Sequence, residues 1–148
     1  MARYVTEQAK QQIGKMGEPR TYEVERGAIR RFAEAIGDPN PLFNHEQEAR
    51  RTRFGGMIAP PTFCRFLGAP VPEVTLDMPQ YRGLDGGSDW EYRAPIRPGD
   101  RITVQTRLAD LRESDGRLGP MVFITTETTY TNQFGEICAI QRSTGIRY

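Results

Sequence analysis

The side chains best suited to chemistry lie in one turn, which runs from Gly37 to His45 and contains Asp38 and Asn40. Two prolines, at positions 39 and 41, exclude a regular strand or helix through the whole of this turn. A carboxylate and an imidazole can both accept and donate protons, so acid–base chemistry is what the turn could support. Binding and catalytic sites are commonly built on rigid polar turns of this kind. The alternative is structural, because an aspartate in such a turn also caps backbone N–H groups.

Helical patterns lie on both sides of this turn. The first helix shows an apolar face at the spacing i, i+3, i+4, i+7 and ends at Gly37, a residue suited to a helix C-terminus. Residues 46–53 can add one or two helical turns. A buried helix is expected to begin near Pro61, since proline is tolerated where helix N–H groups lack acceptors. The apolar residues of these two helices are Ile29, Phe32, Ala33 and Ile36 in the first, and Phe63, Phe66 and Leu67 in the second.

Strand patterns dominate the second half of the chain. A short strand is predicted at 22–24, and a long loop at 69–84, which is rich in proline and glycine. From residue 87 onward, apolar and polar residues alternate in three runs, the last from Ile137 to Ile146. Turns are predicted at 114–116 and 133–135. The fold class is therefore α+β, with helices early, an antiparallel sheet late, and the helix near Pro61 covering the apolar face of the sheet.

Composition excludes several classes of function. The 148 residues suit one domain, and the net charge of +1 favours neither nucleic acid nor an anionic membrane as partner. No apolar run reaches the ~20 residues that span a bilayer. A single histidine excludes a multi-histidine metal site within one subunit, and Cys64 and Cys138 show no metal-binding spacing, so no metal site is predicted. With no targeting signature, a reduced cytoplasm is the expected location.

Two segments carry a family resemblance: Gly37-Asp38-Pro39-Asn40-Pro41-Leu42-Phe43-Asn44-His45 and Gly55-Gly56-Met57-Ile58-Ala59-Pro60-Pro61-Thr62-Phe63. They resemble the MaoC-like dehydratase and (R)-specific enoyl-CoA hydratase family, whose motif is Gly-Asp-x-Asn-Pro-(Leu/Ile)-His-x-Asp, then Gly-Gly-x-Ile-Ala. The N-terminal-type, fatty-acid-synthase-like dehydratase branch is most similar, because there an aromatic residue commonly replaces the motif histidine. The resemblance implies a single hot-dog domain over residues 21–148, preceded by an N-terminal extension over 1–20. In this fold the sheet wraps around a central helix, and two such domains pair into a double hot dog.

The reaction that the resemblance implies is reversible hydration of the 2,3 double bond of an acyl thioester. Asp38 matches the family aspartate, which helps to position or activate water, and Asn40 matches the asparagine that holds the loop. Phe43 stands where the family has its histidine, and phenylalanine can carry no proton, so it either lines an acyl channel or packs in the core. His45 lies two residues further on. It could replace the missing histidine only through a changed loop path, because two extended residues span ~6.6 Å.

The predicted start of the second helix also bears on substrate binding. Pro61 has no N–H group, which leaves the Thr62 and Phe63 amides as possible donors to a thioester oxygen. Candidate substrate-binding residues are therefore Asn40, Phe43, Pro61, Thr62 and Phe63. Four arginines close in sequence could contact the phosphates of coenzyme A or of a carrier-protein pantetheine, or could be solvated surface charge; they are Arg50, Arg51, Arg53 and Arg65. No cofactor is expected beyond the acyl-CoA or acyl-carrier-protein thioester that serves as substrate.

Three functions remain open at this stage. The chain can be the half of a hydratase or dehydratase that shapes the acyl channel and pairs with a catalytic MaoC-like subunit. It can be a self-sufficient homodimeric enoyl-CoA hydratase that uses Asp38 and His45. It can also be a non-catalytic module that binds acyl thioesters. A homodimer or heterodimer is expected in every case, because one sheet on one helix leaves an exposed edge strand.

Overall fold

The computed structural model describes residues 3–78 and 81–148. Four short α-helices, one 3-10 helix and five strands are formed within these residues. In chain order they are α1 (Glu7–Lys10), β1 (Arg20–Glu23), α2 (Arg26–Ala35), α3 (Pro41–Asn44), α4 (Glu46–Arg50), the 3-10 helix (Pro61–Phe66), β2 (Gly83–Tyr92), β3 (Arg101–Gly116), β4 (Gly119–Thr131) and β5 (Ile137–Arg147).

The strands form one antiparallel sheet in the order β1-β3-β4-β5-β2. The α+β prediction is confirmed, and so is the alternation that defined the buried face of β3. Ile102, Val104 and Leu108 are fully buried there, and Thr106 is nearly so. Because side chains alternate across a strand, these four residues turn one face of β3 towards the core.

The main core lies between this face and the helical first half of the chain. Ile29 and Ala33 of α2 are completely buried against it, together with Phe63 and Cys64 of the 3-10 helix. The Phe63 ring meets that of Phe32 edge to face, with centroids 5.5 Å apart. The residues predicted to bury one face of the first helix therefore do so, except that Ile36 is 49% exposed at the end of that face.

The segment after Pro60 differs from the prediction of a buried helix. It is a 3-10 helix of six residues, and Phe66 is 67% exposed. Side chains three residues apart lie in line along a 3-10 helix, so Phe66 covers the outer side of Phe63, with ring centroids 5.9 Å apart. Leu67 is buried as expected.

Of the two predicted turns, one is misplaced and one is confirmed. Residues 114–116 belong to β3, and the chain reverses at Arg117 and Leu118, followed by Gly119 at φ +99°. The turn at 133–135 is confirmed, with Asn132 receiving N–H bonds from Phe134 and Glu136. The predicted long loop extends to Arg82, and its residues 79 and 80 lie outside the described residues.

Residues 3–19 pack against β3 through a second apolar cluster. Val5 and Ala9 are buried with Leu108 and Leu111, and Met16 forms a β-bridge with Arg107. Among the residues that the structure describes, no helix has the length and apolar character needed to cross a bilayer.

Gly17 marks a close backbone approach within this layer. Its N–H donates to the Thr106 carbonyl at 2.8 Å, and a Cβ added to it would lie 2.1 Å from the carbonyl oxygen of Pro70. Gly17→Ala is therefore expected to lower the free energy of unfolding by about 1–3 kcal/mol, because the clash is with backbone. The control is Gly68→Ala, whose added Cβ has no neighbour within 4 Å. Equal midpoints for the two variants in denaturant would contradict this prediction.

Glu113 anchors the first described residues to β3. Its carboxylate accepts the N–H groups of Arg3, Tyr4 and Val5 at 2.9–3.0 Å. Burial of the carboxylate disfavours its charged form, but the hydrogen bonds from these N–H groups favour that form more strongly. The pKa of Glu113 is therefore below its ordinary value of 4.5. A lowered pKa means that the contribution of Glu113 to stability is complete above pH 4.5 and is lost as the pH falls through the lowered value.

Glu113→Gln is expected to speed hydrogen exchange at the Tyr4 and Val5 amides at neutral pH, because a neutral amide is a weaker acceptor than a carboxylate. Wild-type protein should show the same loosening only in acid, as the carboxylate becomes protonated. Asp115→Asn, an exposed change on the same strand, serves as the control. If the Tyr4 and Val5 amides exchanged at the same rate in the Glu113→Gln variant and in the wild type, the Glu113 carboxylate would not be what holds this segment on β3.

Candidate functional site

The turn singled out by the sequence is built on the end of α2. Gly37 has φ +69°, its N–H donates to the Glu34 carbonyl, and the Asp38 N–H donates to the Ala33 carbonyl. This pair of bonds is the Schellman arrangement, in which a left-handed residue just past the helix satisfies the last carbonyls. Gly37 therefore fixes where the backbone of Asp38 lies.

The polar side chains of the turn bind its own backbone. Asp38 Oδ1 accepts the Asn40 N–H at 3.0 Å, and Asn40 Oδ1 accepts the Leu42 N–H at 3.0 Å, which caps α3. Asn44 Nδ2 donates to the carbonyls of Asp38 and Asn40. Asn40 is exposed and Asp38 is half-buried. The capping alternative thus accounts for the recorded bonds of Asp38 and Asn40.

Phe43 and His45 have opposite surroundings. Phe43 is 6% exposed and belongs to the main core. His45 is exposed at the junction of α3 and α4, where its backbone N–H donates to Pro41 and its carbonyl accepts from Ala49. Within residues 3–78 and 81–148, no hydrogen bond or ion pair joins the His45 imidazole to Asp38. The two candidate acid–base groups are therefore in one turn but are not coupled.

A pocket of about 410 Å³ opens beside the start of the 3-10 helix, and most of its walls are apolar. One wall is formed by the segment from Ile58 to Pro61, which the Ala59 N–H ties to the Ile96 carbonyl at 2.7 Å. The opposite wall comes from the end of β2 and the start of β5, including Tyr92 and Ala139. Within residues 3–78 and 81–148, Pro61 is the one predicted catalytic or substrate-binding residue that lines this pocket, and the predicted phosphate-contacting Arg53 lines it as well.

The two amides left open as oxyanion donors behave differently. The Phe63 N–H is already used, because it donates to the Pro60 carbonyl at 2.9 Å. In this structure the Phe63 N–H is therefore not free to donate to a thioester oxygen. Thr62 precedes that first helical bond, so its N–H has no acceptor within the helix. The Thr62 and Pro61 side chains are exposed, whereas Phe63 is 1% exposed and packs in the core.

Two free thiols lie at the inner wall of the pocket. Cys64 and Cys138 are far apart in sequence but are both buried, and both line it. Burial raises the pKa of Cys64 to about 12, helped by the nearby Cys138, and burial raises that of Cys138 to about 11. Both therefore remain uncharged thiols near neutral pH and act as small apolar groups.

Arginines stand at the rim of the pocket. Arg53 and Arg93 line it, with Arg53 over the Phe54 ring and Arg93 bonded to Glu91 at 2.7 Å. Arg50 is paired with Glu46 at 2.9 Å, and Arg65 lines a different pocket. Of the four predicted arginines, Arg53 is thus the one that lines this pocket, where it could contact a ligand phosphate.

Strand β2 forms a long exposed edge next to this pocket. Every one of its residues from Gly83 to Tyr92 is exposed except Trp90, which is half-buried. Leu84 and Tyr92 each expose 48% of their surface, and the Trp90 and Tyr92 rings stack with centroids 5.9 Å apart. Proteins normally cover a long edge that carries apolar side chains.

Sequence reasoning missed the far wall of the pocket. Tyr92, Arg93 and Cys138 reach it only because β2 pairs with β5, with Tyr92 opposite Ala139. That register is a long-range property, which spacing along the chain does not reveal. Within the part of the chain that the structure describes, no three His, Cys, Asp or Glu residues are grouped to hold a metal ion.

Comparisons with known proteins identify one family for most of this chain. Residues 11–141 match the FAS1-like, dehydratase domain region. A UPF0336 protein of Thermobifida fusca is 37% identical over 105 residues, which are 66% of this chain and 68% of that protein. A probable enoyl-CoA hydratase alpha subunit of Thermomonospora curvata is 31% identical over 90% of this chain and 48% of its own length.

Two solved structures share the fold. The MaoC-like dehydratase of Rhodospirillum rubrum has a TM-score of 0.75 and 23% identity over 92% of both chains. A chain of the HadBC 3R-hydroxyacyl-ACP dehydratase complex of Mycobacterium tuberculosis has a TM-score of 0.72 and 20% identity, over 91% of this chain and 96% of that one. The hot-dog expectation is therefore confirmed for the fold of the domain. The chain belongs to the FAS1-like dehydratase domain region family.

Proposed function

We propose that this chain is one half of a two-chain acyl-thioester hydratase or dehydratase, the half that shapes the acyl channel and pairs with a catalytic MaoC-like subunit. The reaction is hydration of a 2-enoyl thioester or dehydration of a 3-hydroxyacyl thioester. The observation that carries this proposal is the Phe43 ring, buried in the core at the motif position of the histidine.

The proton chemistry of the turn supports this division of work. Hydration needs a group that takes a proton from water and a group that returns one to carbon. Phe43 can do neither, and in the part of the chain that the structure describes the exposed His45 imidazole makes no hydrogen bond to the Asp38 carboxylate. A general acid or base typically contributes a factor of about 10²–10⁴ to the rate, so the lone chain should be nearly inactive.

The pocket beside the 3-10 helix supports a role in holding the acyl thioester. Its apolar walls suit a hydrocarbon chain, and the arginines at its rim suit the phosphates of coenzyme A or of a carrier-protein pantetheine. The uncharged thiols of Cys64 and Cys138 keep the inner wall apolar. The pocket opens next to Tyr92 at the end of β2, so a partner on that edge would extend its walls.

The exposed edge of β2 supports pairing with a second hot-dog domain. A homologous domain adding its own edge strand would continue the hydrogen-bonded sheet and cover Leu84 and Tyr92. The names of two similar proteins, an enoyl-CoA hydratase alpha subunit and a two-chain hydroxyacyl-ACP dehydratase complex, are consistent with such a pair.

The test is the hydration of crotonyl-CoA and of a longer 2-enoyl-CoA by the purified chain alone. We expect turnover at the limit of detection, and any residual rate should be unchanged in Asp38→Asn and in His45→Ala. Robust hydration by the lone chain that disappears in both variants would instead support the self-sufficient homodimer. Circular dichroism should confirm that both variants are folded, which keeps a loss of activity interpretable.

A further inference from the structure

The core-facing side of the sheet changes from apolar to polar along its length. Directly paired residues of antiparallel strands share one face. Val104 pairs with Tyr130 in one row, Thr106 with Thr128 in the next, and Leu108 with Thr126 in the third. On β5, the last two rows continue into Gln141 and Ser143. Hydroxyl and amide groups thus occupy part of the core-facing side of the sheet. That side would be apolar throughout if its only role were to pack against the core.

These residues line a second pocket, distinct from the one at the helix start. It has a volume of about 220 Å³, and the turn after the 3-10 helix, from Leu67 to Ala69, forms its other wall. Arg65 lies at its rim. Because the helix ends at Phe66, it does not extend over the polar rows, which therefore stay open to a ligand. The polar lining comprises Thr106, Thr126, Thr128, Tyr130, Gln141 and Ser143.

Part of this lining is already satisfied by internal bonds. The Thr106 and Thr128 hydroxyls bond to each other at 2.8 Å, and the Ser143 hydroxyl bonds to that of Ser88 at 3.1 Å. Gln141 Nε2 also donates to Ser88, at 3.1 Å. These hydrogen bonds hold the side chains of the polar rows in place, but they do not involve every polar atom of the pocket lining.

Other polar atoms of the lining remain available. Within the described ranges, the Thr126 hydroxyl and the Gln141 carbonyl oxygen take part in no recorded hydrogen bond to the protein. Burial raises the pKa of Tyr130, so its hydroxyl stays protonated and able to donate. The pocket thus offers both donors and acceptors that are not tied to one another.

We propose that this second pocket is a subsite for an acyl group that carries hydroxyl or oxo oxygens beyond the carbons that react. The proposal rests on the proposed function, since it assumes that the chain binds acyl thioesters. A plain alkyl chain in this pocket would strip water from hydroxyl and amide groups without replacing their hydrogen bonds, which is unfavourable. An oxygenated chain would replace those bonds, so the lining selects for it.

The experiment compares octanoyl-CoA with 8-hydroxyoctanoyl-CoA, titrated calorimetrically into the full-length chain. The hydroxylated probe is expected to bind at least about fivefold more tightly, which is the size of one net hydrogen bond. Thr126→Val keeps the side-chain shape, removes an unbonded hydroxyl, and should reduce that preference to less than about twofold. Gln141→Leu, as a second variant, should act in the same direction.

The control variant is Thr129→Val, on the same strand but in the row with Gln105 and Ile140 on the other face. It should keep the wild-type preference. Equal binding of both probes to the wild-type chain would overturn the subsite while leaving the proposed function intact. A preference that survives in both pocket variants would also overturn it. Failure of both probes to bind would overturn the subsite together with acyl-thioester binding itself, and binding of octanoyl-CoA alone would overturn the subsite only.

Discussion

Phe43→Ala is expected to lower the free energy of unfolding by about 3–5 kcal/mol, the usual cost of emptying a buried phenylalanine site. The ring is 6% exposed and belongs to the cluster that contains Ile29, Phe63 and Val104. It lies on α3, a helix of only four residues that His45 alone separates from α4. Such a short helix is held by tertiary packing rather than by its own bonds, so removal of its one buried side chain should loosen the whole turn.

Denaturant unfolding followed by circular dichroism measures this effect. Phe43→Leu keeps most of the buried volume and should cost clearly less than the alanine change. Leu42→Ala, at the half-buried neighbouring position, is the matched control and should also cost less. If Phe43→Ala left the unfolding midpoint unchanged, the ring would be a pocket wall rather than a core residue, and the structural role assigned here would be wrong.

Leu84→Lys is expected to weaken dimer or partner association by at least about tenfold, which corresponds to about 1.4 kcal/mol. Leu84 lies on the exposed edge strand and is 48% exposed in the single chain. A partner strand would bury the new ammonium group without a counter-charge, and lysines on edge strands are a common means by which proteins prevent pairing. Because the Leu84 side chain is half exposed in the single chain, the substitution should change the fold of that chain little.

Sedimentation velocity over a range of concentrations gives the association constant. The control is Leu118→Lys, in the β3–β4 turn, where the side chain is 66% exposed and away from the β2 edge. It should leave association unchanged. A Leu84→Lys variant that assembles as tightly as the wild type would show that another surface forms the interface.

Local patterns predicted the elements that depend on neighbours in sequence. The apolar spacing of Ile29, Phe32 and Ala33 predicted α2, and Gly37 predicted where it ends. The alternation from Ile102 to Leu108 predicted the buried face of β3. These signals are reliable because one face of each element is buried, which repeats a single environment at a fixed period.

Features that depend on tertiary context were not predictable in this way. The segment from Pro61 to Phe66 has the composition of a buried helix, but it forms a 3-10 helix that leaves Phe66 exposed. The pocket residues Tyr92 and Cys138 meet the 3-10 helix only through the pairing of β2 with β5. Likewise, the motif aspartate and the only histidine are seven residues apart in one turn, yet the path of that turn leaves them uncoupled.

Reconstitution of crotonyl-CoA hydration tests the division of work most directly. The chain would be assayed alone, then mixed with a separately encoded MaoC-like chain that keeps the Asp-x-Asn-Pro-x-His turn, such as the product of an adjacent reading frame. We predict negligible turnover by this chain alone and a rise of about 10²–10⁴-fold on mixing, unaffected by His45→Ala. Rapid hydration by the lone chain, unchanged by the second chain and abolished by His45→Ala, would contradict the assignment.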